Sequence, residues 1–355
     1  MAVTVRSFSK INLGLCIGGL RPDGFHDLRT IYQTLALHDI IRLQIGRGAG
    51  IEIRCEDARV PKDVSNTCYR IVERAMEALG TRGRVAITIE KRLPVQGGLG
   101  AGSANAVATL IALELVLEKK LPGSERLRIA AEVGSDLPLF LVGGTVLGMG
   151  RGEEVYPLPD LPATVCVVAT PEVGVSTPKA FADWDEMMSE AVDTTAQPGS
   201  PGAAEVRRPH LDRADMTSKL TPLAPSDRIN KFSRRLAAWL SSDSQRALSG
   251  VPANSGRGRA ETSLLDLVRT GIENDFEQVV FSENPELREI KGVLERAGAS
   301  YAALSGSGSV IYGLFASREA GLNAIARLRH DGIPAVVTST LTRQQYWKKF
   351  LVSGF

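Results

Sequence analysis

The stretch LPVQGGLGAGSANAVATLIALEL at residues 93–115 places four glycines within six positions, directly before a long apolar run. Glycine is less favourable than alanine in ordered structure by about 0.5–1 kcal/mol, so Gly97, Gly98, Gly100 and Gly102 together need a compensating role. The apolar run predicts a helix, and a helix N-terminus presents unpaired N–H groups and a partial positive charge. Because glycines let the backbone approach an anion closely, the stretch predicts a phosphate-binding loop.

Ser103 excludes two common nucleotide-binding motifs. Gly97 and Gly102 have the spacing of a Walker A loop, but Ser103 stands where that loop needs lysine. Gly98 and Gly100 begin a dinucleotide fingerprint, but Ser103 takes the place of its third glycine. The chain also lacks the HRD and DFG motifs of protein kinases. Two interpretations of the stretch remain. It is a phosphate-binding loop in which Ser103 caps the helix or donates its hydroxyl, or it is a tight strand-to-helix turn.

Charge and composition narrow the class of protein. A net charge of +2 gives no electrostatic case for nucleic-acid binding, and 355 residues allow one large or two ordinary domains. The N-terminal residues lack a signal-peptide pattern, and no apolar run reaches about 18 residues, so we expect a soluble, cytoplasmic protein without a membrane span. The four cysteines form no CxxC pair, which predicts buried thiols rather than zinc or redox chemistry.

The hydrophobic pattern predicts alternating strands and helices on either side of one irregular region. Strands are predicted at 3–18, 29–37, 39–45, 50–56, 84–93, 163–171, 300–304, 309–315 and 334–339. Besides the apolar run after the glycine loop, helices are predicted at 64–80, with Ser65 as its N-cap, and at 124–134, 263–281, 285–297 and 317–330. The RPDGFHDL segment at 21–28 predicts a turn, and the C-terminal tail a docked helix or a frayed end.

Residues 183–262 differ in composition from the rest of the chain. Pro, Gly and Ser are dense at 197–203 and 249–258, which predicts a long, partly disordered insertion. Within it, RINKFSRRLAAWLSS at 228–242 predicts an amphipathic helix. Its basic side is interpreted as a solvated face rather than a surface for an anionic partner.

Several sequence blocks resemble those of one kinase superfamily. The loop pattern P-x-x-x-G-L-G-x-G-S, from Pro94 to Ser103, is similar to the phosphate loop of the GHMP kinases. Four further blocks occur in the order seen in the GHMP kinases that act on a cytidine-diphosphate-linked methylerythritol. They are SFSKINLGLCIGGLRPDGFHDL, GSDLPLFLVGGTVLGMGRGEEVYPL, IENDFEQVV and SGSGSVIYGLF. The RPDGFH block is the most specific. Ala101, Ala104 and Phe25 depart from the glycine, serine and tyrosine that are usual there.

The resemblance implies a fold and a reaction. The fold would be α+β with two domains: residues 1–158 as a ribosomal-protein-S5-domain-2-like domain and residues 159–355 as a ferredoxin-like domain, with the active site in the cleft between them. The reaction would be ATP-dependent phosphorylation of the 2-hydroxyl of that acceptor, in the non-mevalonate route to isoprenoid precursors. A GHMP kinase for another alcohol, such as homoserine or a sugar, and a non-catalytic nucleotide-binding module are the alternatives.

The resemblance also implies roles for individual residues. Asp136 would take the proton from the acceptor hydroxyl, and Lys10 would keep that carboxylate ionised and offset phosphate charge. The nucleotide would contact Pro94, Gly97, Gly98, Leu99, Gly100, Ala101, Gly102, Ser103, Asn66 and Lys91. The acceptor would contact Asn12, Phe25, His26, Phe181, Thr177, Gly306, Ser307 and Gly308.

The expected cofactors and partners are few. Mg²⁺ would arrive with ATP rather than on protein side chains. The partner is a small molecule, with no nucleic acid and no membrane, and the chain would be a monomer or a weak homodimer.

Overall fold

The computed structural model describes residues 2–95, 97–195, 225–248, 267–268 and 272–352. Its first half contains a six-stranded sheet of order β3-β4-β2-β5-β6, with β1 paired to β2. These strands are β1 (Ala2–Leu20), β2 (His26–Gly46), β3 (Gly50–Cys55), β4 (Arg84–Glu90), β5 (Thr145–Met149) and β6 (Glu154–Pro157). All pairs are antiparallel except β3 and β4, which are parallel.

The second half contains a four-stranded antiparallel sheet of order β10-β7-β9-β8. Its strands are β7 (Val165–Ala169), β8 (Tyr301–Leu304), β9 (Ile311–Phe315) and β10 (Ala335–Ser339). The two sheets with their helices confirm the α+β class. The boundary between the two predicted domains stays a prediction.

Ten helices lie within the described residues. They are α1 (Thr67–Ala78), α2 (Ala101–Leu117), α3 (Gly123–Val133), α4 (Leu137–Val142), α5 (Thr177–Thr195), α6 (Pro225–Leu248), α7 (Phe276–Glu283), α8 (Pro285–Arg296), α9 (Arg318–His330) and α10 (Arg343–Phe350). None of them has the length and apolar character needed to cross a membrane. The four cysteines are buried and unpaired, as predicted.

One apolar cluster joins the two halves. Ile11 and Leu35 from the first sheet, Val168 and Leu314 from the second, and Trp239 of α6 belong to the same buried cluster. Burying a large apolar side chain contributes about 1.5–3 kcal/mol, so this shared cluster resists separation of the halves.

The pairing of β1 with β2 is irregular on both sides of one short segment. The register shifts between Phe8 and Lys10 and again between Asn12 and Gly14. Irregularities of this kind bend a strand and redirect its side chains. Because alternate residues of a strand face the same side, Lys10 and Asn12 point in one direction and Ile11 enters the core.

One predicted helix cap is wrong, and one of the two alternatives for Ser103 is excluded. The side chain of Asn66, not Ser65, accepts from the Cys68 N–H and caps α1. The hydroxyl of Ser65 bonds to Asp63 instead. Gly100 is the N-cap of α2, which makes Ser103 the third residue of that helix.

Two predicted segments are divided differently in the structure, and one of the two alternatives for the C-terminal tail is confirmed. The strands predicted at 29–37 and 39–45 are one strand, β2, because its pairing partner changes along its length while the backbone stays extended. Within the helix predicted at 263–281, Leu267 and Val268 have helical backbone, but Asn274 forms a bridge with Leu15 and a separate helix, α7, begins at Phe276. The C-terminal tail is a docked helix, in which Tyr346 is buried and donates to the Phe140 carbonyl.

The first part of the region predicted as an insertion is helical. Residues 177–195 are helical as α5, and Trp184 is buried within it. The amphipathic helix is present as α6, with Ile229 and Phe232 buried and Lys231 and Arg234 exposed. The predicted disorder at 197–203 and 249–258 lies outside the described residues.

Candidate active site

A cavity of about 680 Å³ lies where both halves of the molecule meet. Its walls come from β1, β2, the two glycine loops, the start of α4 and the first turns of α5. Ten residues implicated by the sequence line it: Lys10, Asn12, Phe25, His26, Gly98, Asp136, Thr177, Phe181, Gly306 and Ser307. The tertiary structure therefore gathers side chains that are up to about 300 residues apart in the chain.

Lys10 and Asp136 form an ion pair in this cavity. The Nζ of Lys10 lies 3.4 Å from Oδ2 of Asp136 and donates to Oδ1 of Asn12 at 2.7 Å. The lysine side chain is only 4% exposed, whereas the aspartate side chain is 33% exposed. A buried ammonium needs such partners to offset its desolvation. The carboxylate keeps access to the cavity, so it can meet a ligand hydroxyl.

Tyr32 contacts both charged groups. Its hydroxyl donates to Oδ1 of Asp136 at 3.0 Å, and the ammonium of Lys10 lies 5.6 Å from its ring centre. Burial, reinforced by the negative charge of Asp136, raises the pKa of Tyr32 well above its usual value. The phenol therefore stays protonated and serves Asp136 as a hydrogen-bond donor.

The first glycine loop is shaped by contacts that exclude side chains. Gly97, Gly98 and Gly100 have φ of 120°, 90° and 67°, in the region that favours glycine. A Cβ on Gly98 would lie 1.9 Å from the Ser305 carbonyl oxygen. The loop is also tied to β1, because the Lys10 N–H donates to the Leu99 carbonyl at 3.0 Å.

Ala101 begins α2 without needing a positive φ. It is the first residue of that helix and is absent from the residues with positive φ in the described chain. Replacing the usual glycine by alanine here is therefore compatible with the backbone. The N–H groups of the first turn of α2 stay available, as at any helix N-terminus.

The second glycine loop, residues 305–309, packs against the first. The Ser305 hydroxyl donates to the Gly98 carbonyl at 2.9 Å, and the Val310 N–H donates to the Gly97 carbonyl at 3.1 Å. A Cβ on Gly308 would lie 2.3 Å from the Gly97 carbonyl carbon. These contacts fix the loops side by side at one end of the cavity.

Asn274 and Thr177 hold the second glycine loop from the other side. The Asn274 amide donates to the Leu304 and Gly306 carbonyls at 2.9 and 2.7 Å. The Thr177 and Ser307 hydroxyls lie 2.7 Å apart. The N-terminus of α5 is therefore joined to the loop that faces Lys10 and Asn12.

The far end of the cavity is aromatic. The rings of His26 and Phe181 stack, with centroids 4.9 Å apart and planes within 9°. The Phe25 ring is half exposed, and the guanidinium of Arg151 lies 5.0 Å from its centre. Asp185 of α5 bonds to Nε2 of His26 at 2.8 Å. Flat apolar faces beside a polar ring edge suit a heteroaromatic ligand.

The remaining predicted residues lie outside the walls of this cavity. Eight of them lie in or beside the glycine loops without lining the cavity: Pro94, Gly97, Leu99, Gly100, Ala101, Gly102, Ser103 and Gly308. Asn66 caps α1, whose Thr67 hydroxyl donates to the Gly102 carbonyl at 2.8 Å. Lys91 forms an ion pair of 2.6 Å with the fully buried Asp39. Contacts of Asn66 and Lys91 with a nucleotide stay predictions.

Sequence reasoning missed five residues that shape the site: Tyr32, Arg151, Asp185, Asn274 and Ser305. None of the five had a local signal. Tyr32 stands opposite Asn12 only in the β1–β2 register, which depends on irregularities that the sequence does not reveal. All five act through long-range contacts.

No cluster of three or more His, Cys, Asp or Glu side chains able to hold a metal ion exists within the described part of the chain. Asp136 is the one carboxylate that both lines the cavity and pairs with Lys10 there.

Comparison with known families identifies both halves of the chain. Residues 66–144 match the GHMP kinases N terminal domain, and residues 260–333 match the GHMP kinases C terminal domain. The chain is 34% identical over 348 residues to a 4-diphosphocytidyl-2-C-methyl-D-erythritol kinase of Solibacter usitatus, covering 97% of this chain and 92% of the relative. It is 36% identical over 318 residues to the protein of the same name from Acaryochloris marina, covering 89% and 88%.

A solved structure agrees with these relatives. The crystal structure of a 4-(cytidine 5'-diphospho)-2C-methyl-D-erythritol kinase superposes with a TM-score of 0.64 at 25% identity, covering 95% of this chain and 98% of that one. The similarity therefore extends over both sheets.

Proposed function

The chain belongs to the 4-diphosphocytidyl-2-C-methyl-D-erythritol kinases within the GHMP kinases, and from this premise we propose how its cavity performs the reaction. The γ-phosphoryl group of ATP is transferred to the 2-hydroxyl of 4-diphosphocytidyl-2-C-methyl-D-erythritol, a step of the non-mevalonate route to isoprenoid precursors. The Lys10–Asp136 pair, between the glycine loops and the His26 ring stack, is the observation that carries this proposal.

At the centre of the cavity, Asp136 accepts the proton of the acceptor hydroxyl. Its carboxylate is one-third exposed, and it receives a hydrogen bond from Tyr32 at 3.0 Å. Lys10 stabilises the ionised carboxylate and offsets negative charge on the transferred group. Phosphoryl transfer depends mainly on such positioning and charge neutralisation.

At the aromatic end, the cytosine ring is held by the side chains of Phe25, His26 and Phe181. Phe25 supplies an exposed face for stacking, and His26 supplies hydrogen bonds to the edge of the base. Asn12 and Thr177 line the path from this end to Lys10, where the polyol chain of the acceptor would lie. Gly306, Ser307 and Gly308 border the same path from the C-terminal half.

At the opposite end, the phosphates of ATP bind the first glycine loop and the N-terminus of α2. The positive φ values of Gly97, Gly98 and Gly100 support a backbone that turns closely around an anion. Pro94, Leu99, Ala101, Gly102 and Ser103 complete the loop. Asn66 and Lys91 are assigned to the adenine side, and the Thr67–Gly102 contact brings the start of α1 close to that loop.

Mg²⁺ fits this site only in company with the nucleotide. The cavity offers Asp136 as a carboxylate beside the reacting group, and that single group already interacts with Lys10 and Tyr32. When bound to the phosphates, Mg²⁺ would neutralise part of the charge of ATP. The enzyme is proposed to act in the cytoplasm as a monomer or weak homodimer, with the cleft between residues 1–158 and 159–355 as its active site.

The direct test measures ADP release by the purified protein with ATP and Mg²⁺. The acceptors are 4-diphosphocytidyl-2-C-methyl-D-erythritol, 2-C-methyl-D-erythritol 4-phosphate and homoserine, with a sample lacking acceptor as the control. Turnover with the cytidylated compound alone supports the proposal. Turnover with homoserine would assign another alcohol as substrate, and ATP binding without turnover on any acceptor would favour a non-catalytic nucleotide-binding module.

A further inference from the structure

His26 has an acidic partner that the reaction itself does not require. Its Nε2 lies 2.8 Å from Oδ1 of Asp185, a residue of α5. The histidine side chain is 7% exposed and the aspartate side chain 54% exposed. The His26 ring is also stacked on Phe181, which comes from the same helix, so α5 fixes both the plane of the ring and one of its nitrogens.

The partner determines which nitrogen of His26 carries the proton. An ionised carboxylate only accepts hydrogen bonds, so the Nε2 that faces Asp185 must be the protonated nitrogen. In a neutral imidazole the other nitrogen is then an unprotonated acceptor. Among the residues that the structure describes, none forms a hydrogen bond with Nδ1, and His26 lines the cavity. The ligand side of His26 therefore offers an acceptor.

We propose that Asp185 sets the base specificity of the acceptor pocket by holding His26 in the Nε2–H tautomer, an inference that rests on the proposed function. Cytosine has one donor on its base-pairing edge, the 4-amino group, whereas uracil presents a carbonyl oxygen at that position. An acceptor at Nδ1 matches the amino group and opposes the carbonyl oxygen. Asp185 is thus a positioning residue that selects cytidine-linked over uridine-linked acceptors.

The opposite charge at position 185 should reverse this preference. A lysine there donates to Nε2, so His26 would carry its proton on Nδ1 and present a donor to the base. Asp185→Ala leaves both tautomers accessible and should give an intermediate result. Asp183→Lys is the matched control, because it makes the same charge change on the same helix, where Asp183 pairs with Lys179 rather than with His26.

The kinetic test compares kcat/KM for 4-diphosphocytidyl-2-C-methyl-D-erythritol with that for its uridine analogue. We expect the ratio to fall by about tenfold or more in Asp185→Lys, by less in Asp185→Ala, and by less than about twofold in Asp183→Lys. A purely structural link between α5 and β2 would lower both values equally and leave the ratio unchanged. That result would overturn the inference.

The spectroscopic test does not depend on activity. In protein with 15N-labelled histidine at about pH 8, above the usual histidine pKa of about 6.5, the imidazole 15N shifts should report a proton on Nε2 of His26. In Asp185→Lys the proton should move to Nδ1. A proton on Nδ1 in the unaltered protein would refute the assignment even if the kinase were active. Absence of turnover with Nε2 protonated would instead reject the proposed function and retain the role of Asp185 in the tautomer.

Discussion

The Ser305 hydroxyl donates to the Gly98 carbonyl at 2.9 Å, so the two glycine loops touch although 207 residues separate them in the chain. The contact is so close that residue 98 has no space for a side chain, since a Cβ there would lie 1.9 Å from the Ser305 carbonyl oxygen. The loop assigned to phosphate binding is thus shaped by the C-terminal half. The site therefore depends on the two halves packing against each other in this arrangement.

Gly98→Ala should therefore impair both the fold and the reaction. The residue has φ of 90°, and strain of this kind costs about 1–3 kcal/mol before the clash with Ser305 is included. We expect a fall in the free energy of unfolding of at least that size, measured by urea titration, and a loss of about tenfold or more in kcat/KM for ATP.

Gly123→Ala is the control, because no heavy atom lies within 4 Å of a Cβ at that position. Its unfolding free energy should stay within about 0.5 kcal/mol of the unaltered value. If Gly98→Ala behaved like this control, the close packing of the loops would not be required.

Asp136→Asn should abolish most turnover while keeping ATP bound. The amide is nearly isosteric but cannot accept the hydroxyl proton, and general-base catalysis contributes about 10²–10⁴-fold to rate. We expect kcat to fall within that range, with the Kd for ATP changed by less than about threefold, measured by calorimetry.

Asp331→Asn supplies the control for that prediction, because Asp331 is half exposed and lies outside the cavity. Near-normal turnover in Asp136→Asn would mean that Asp136 is not the base.

His26→Ala should affect the acceptor rather than the nucleotide. The alanine removes both the ring face stacked on Phe181 and the hydrogen-bonding edge, without touching the glycine loops. We expect the KM for the cytidylated acceptor to rise by about tenfold or more and the KM for ATP to change by less than about twofold. The exposed His330 provides the matched control as His330→Ala. A larger effect on the KM for ATP would move the cytidine pocket elsewhere.

Stability should fall as the pH rises above about 10. Burial is the largest cause of the raised pKa values of Tyr32, Tyr301, Tyr312 and Tyr346. A folded-state pKa above the unfolded value of about 10 means that the folded chain keeps these protons while the unfolded chain releases them. The contribution of these phenols to the free energy of unfolding is complete below pH 10. It is lost above pH 10, by up to about 1.4 kcal/mol per pH unit for each tyrosine.

Urea unfolding at pH 9, 10 and 11 measures how fast the free energy of unfolding falls with pH. Tyr346→Phe should reduce this fall by up to the contribution of one tyrosine, about 1.4 kcal/mol per pH unit. Tyr156→Phe, at a half-exposed ring, controls for loss of a hydroxyl. An unchanged slope in Tyr346→Phe would contradict the assignment of a high pKa to the buried phenol.

Local sequence properties account for the parts of the fold that could be predicted. Three elements were predicted from patterns among residues that are close in sequence. These patterns are the alternation of β1, the amphipathic pattern of α6 and the apolar run of α2. The cap of α1 did not follow, because Ser65 and Asn66 are both good capping residues and only the backbone geometry selects Asn66.

The helix in the first part of the predicted insertion was missed for a different reason. The composition of residues 183–262 predicts a partly disordered segment, yet residues up to 195 are helical, Trp184 is buried and Asp185 bonds to His26. The long-range partners of α5 therefore decide its structure, and a local sequence pattern does not identify those partners.

The sequence by itself determined the chemistry available to this protein: a glycine-rich loop before a helix, a lysine and an asparagine on one face of the first strand, and a histidine in the RPDGFH turn. The tertiary structure alone decided how that chemistry is arranged. It set Tyr32 against Asp136, Asp185 against His26, and Ser305 against Gly98. These contacts join residues 104 to 207 positions apart, and such pairs arise from sheet register and helix docking, which neighbouring residues do not specify.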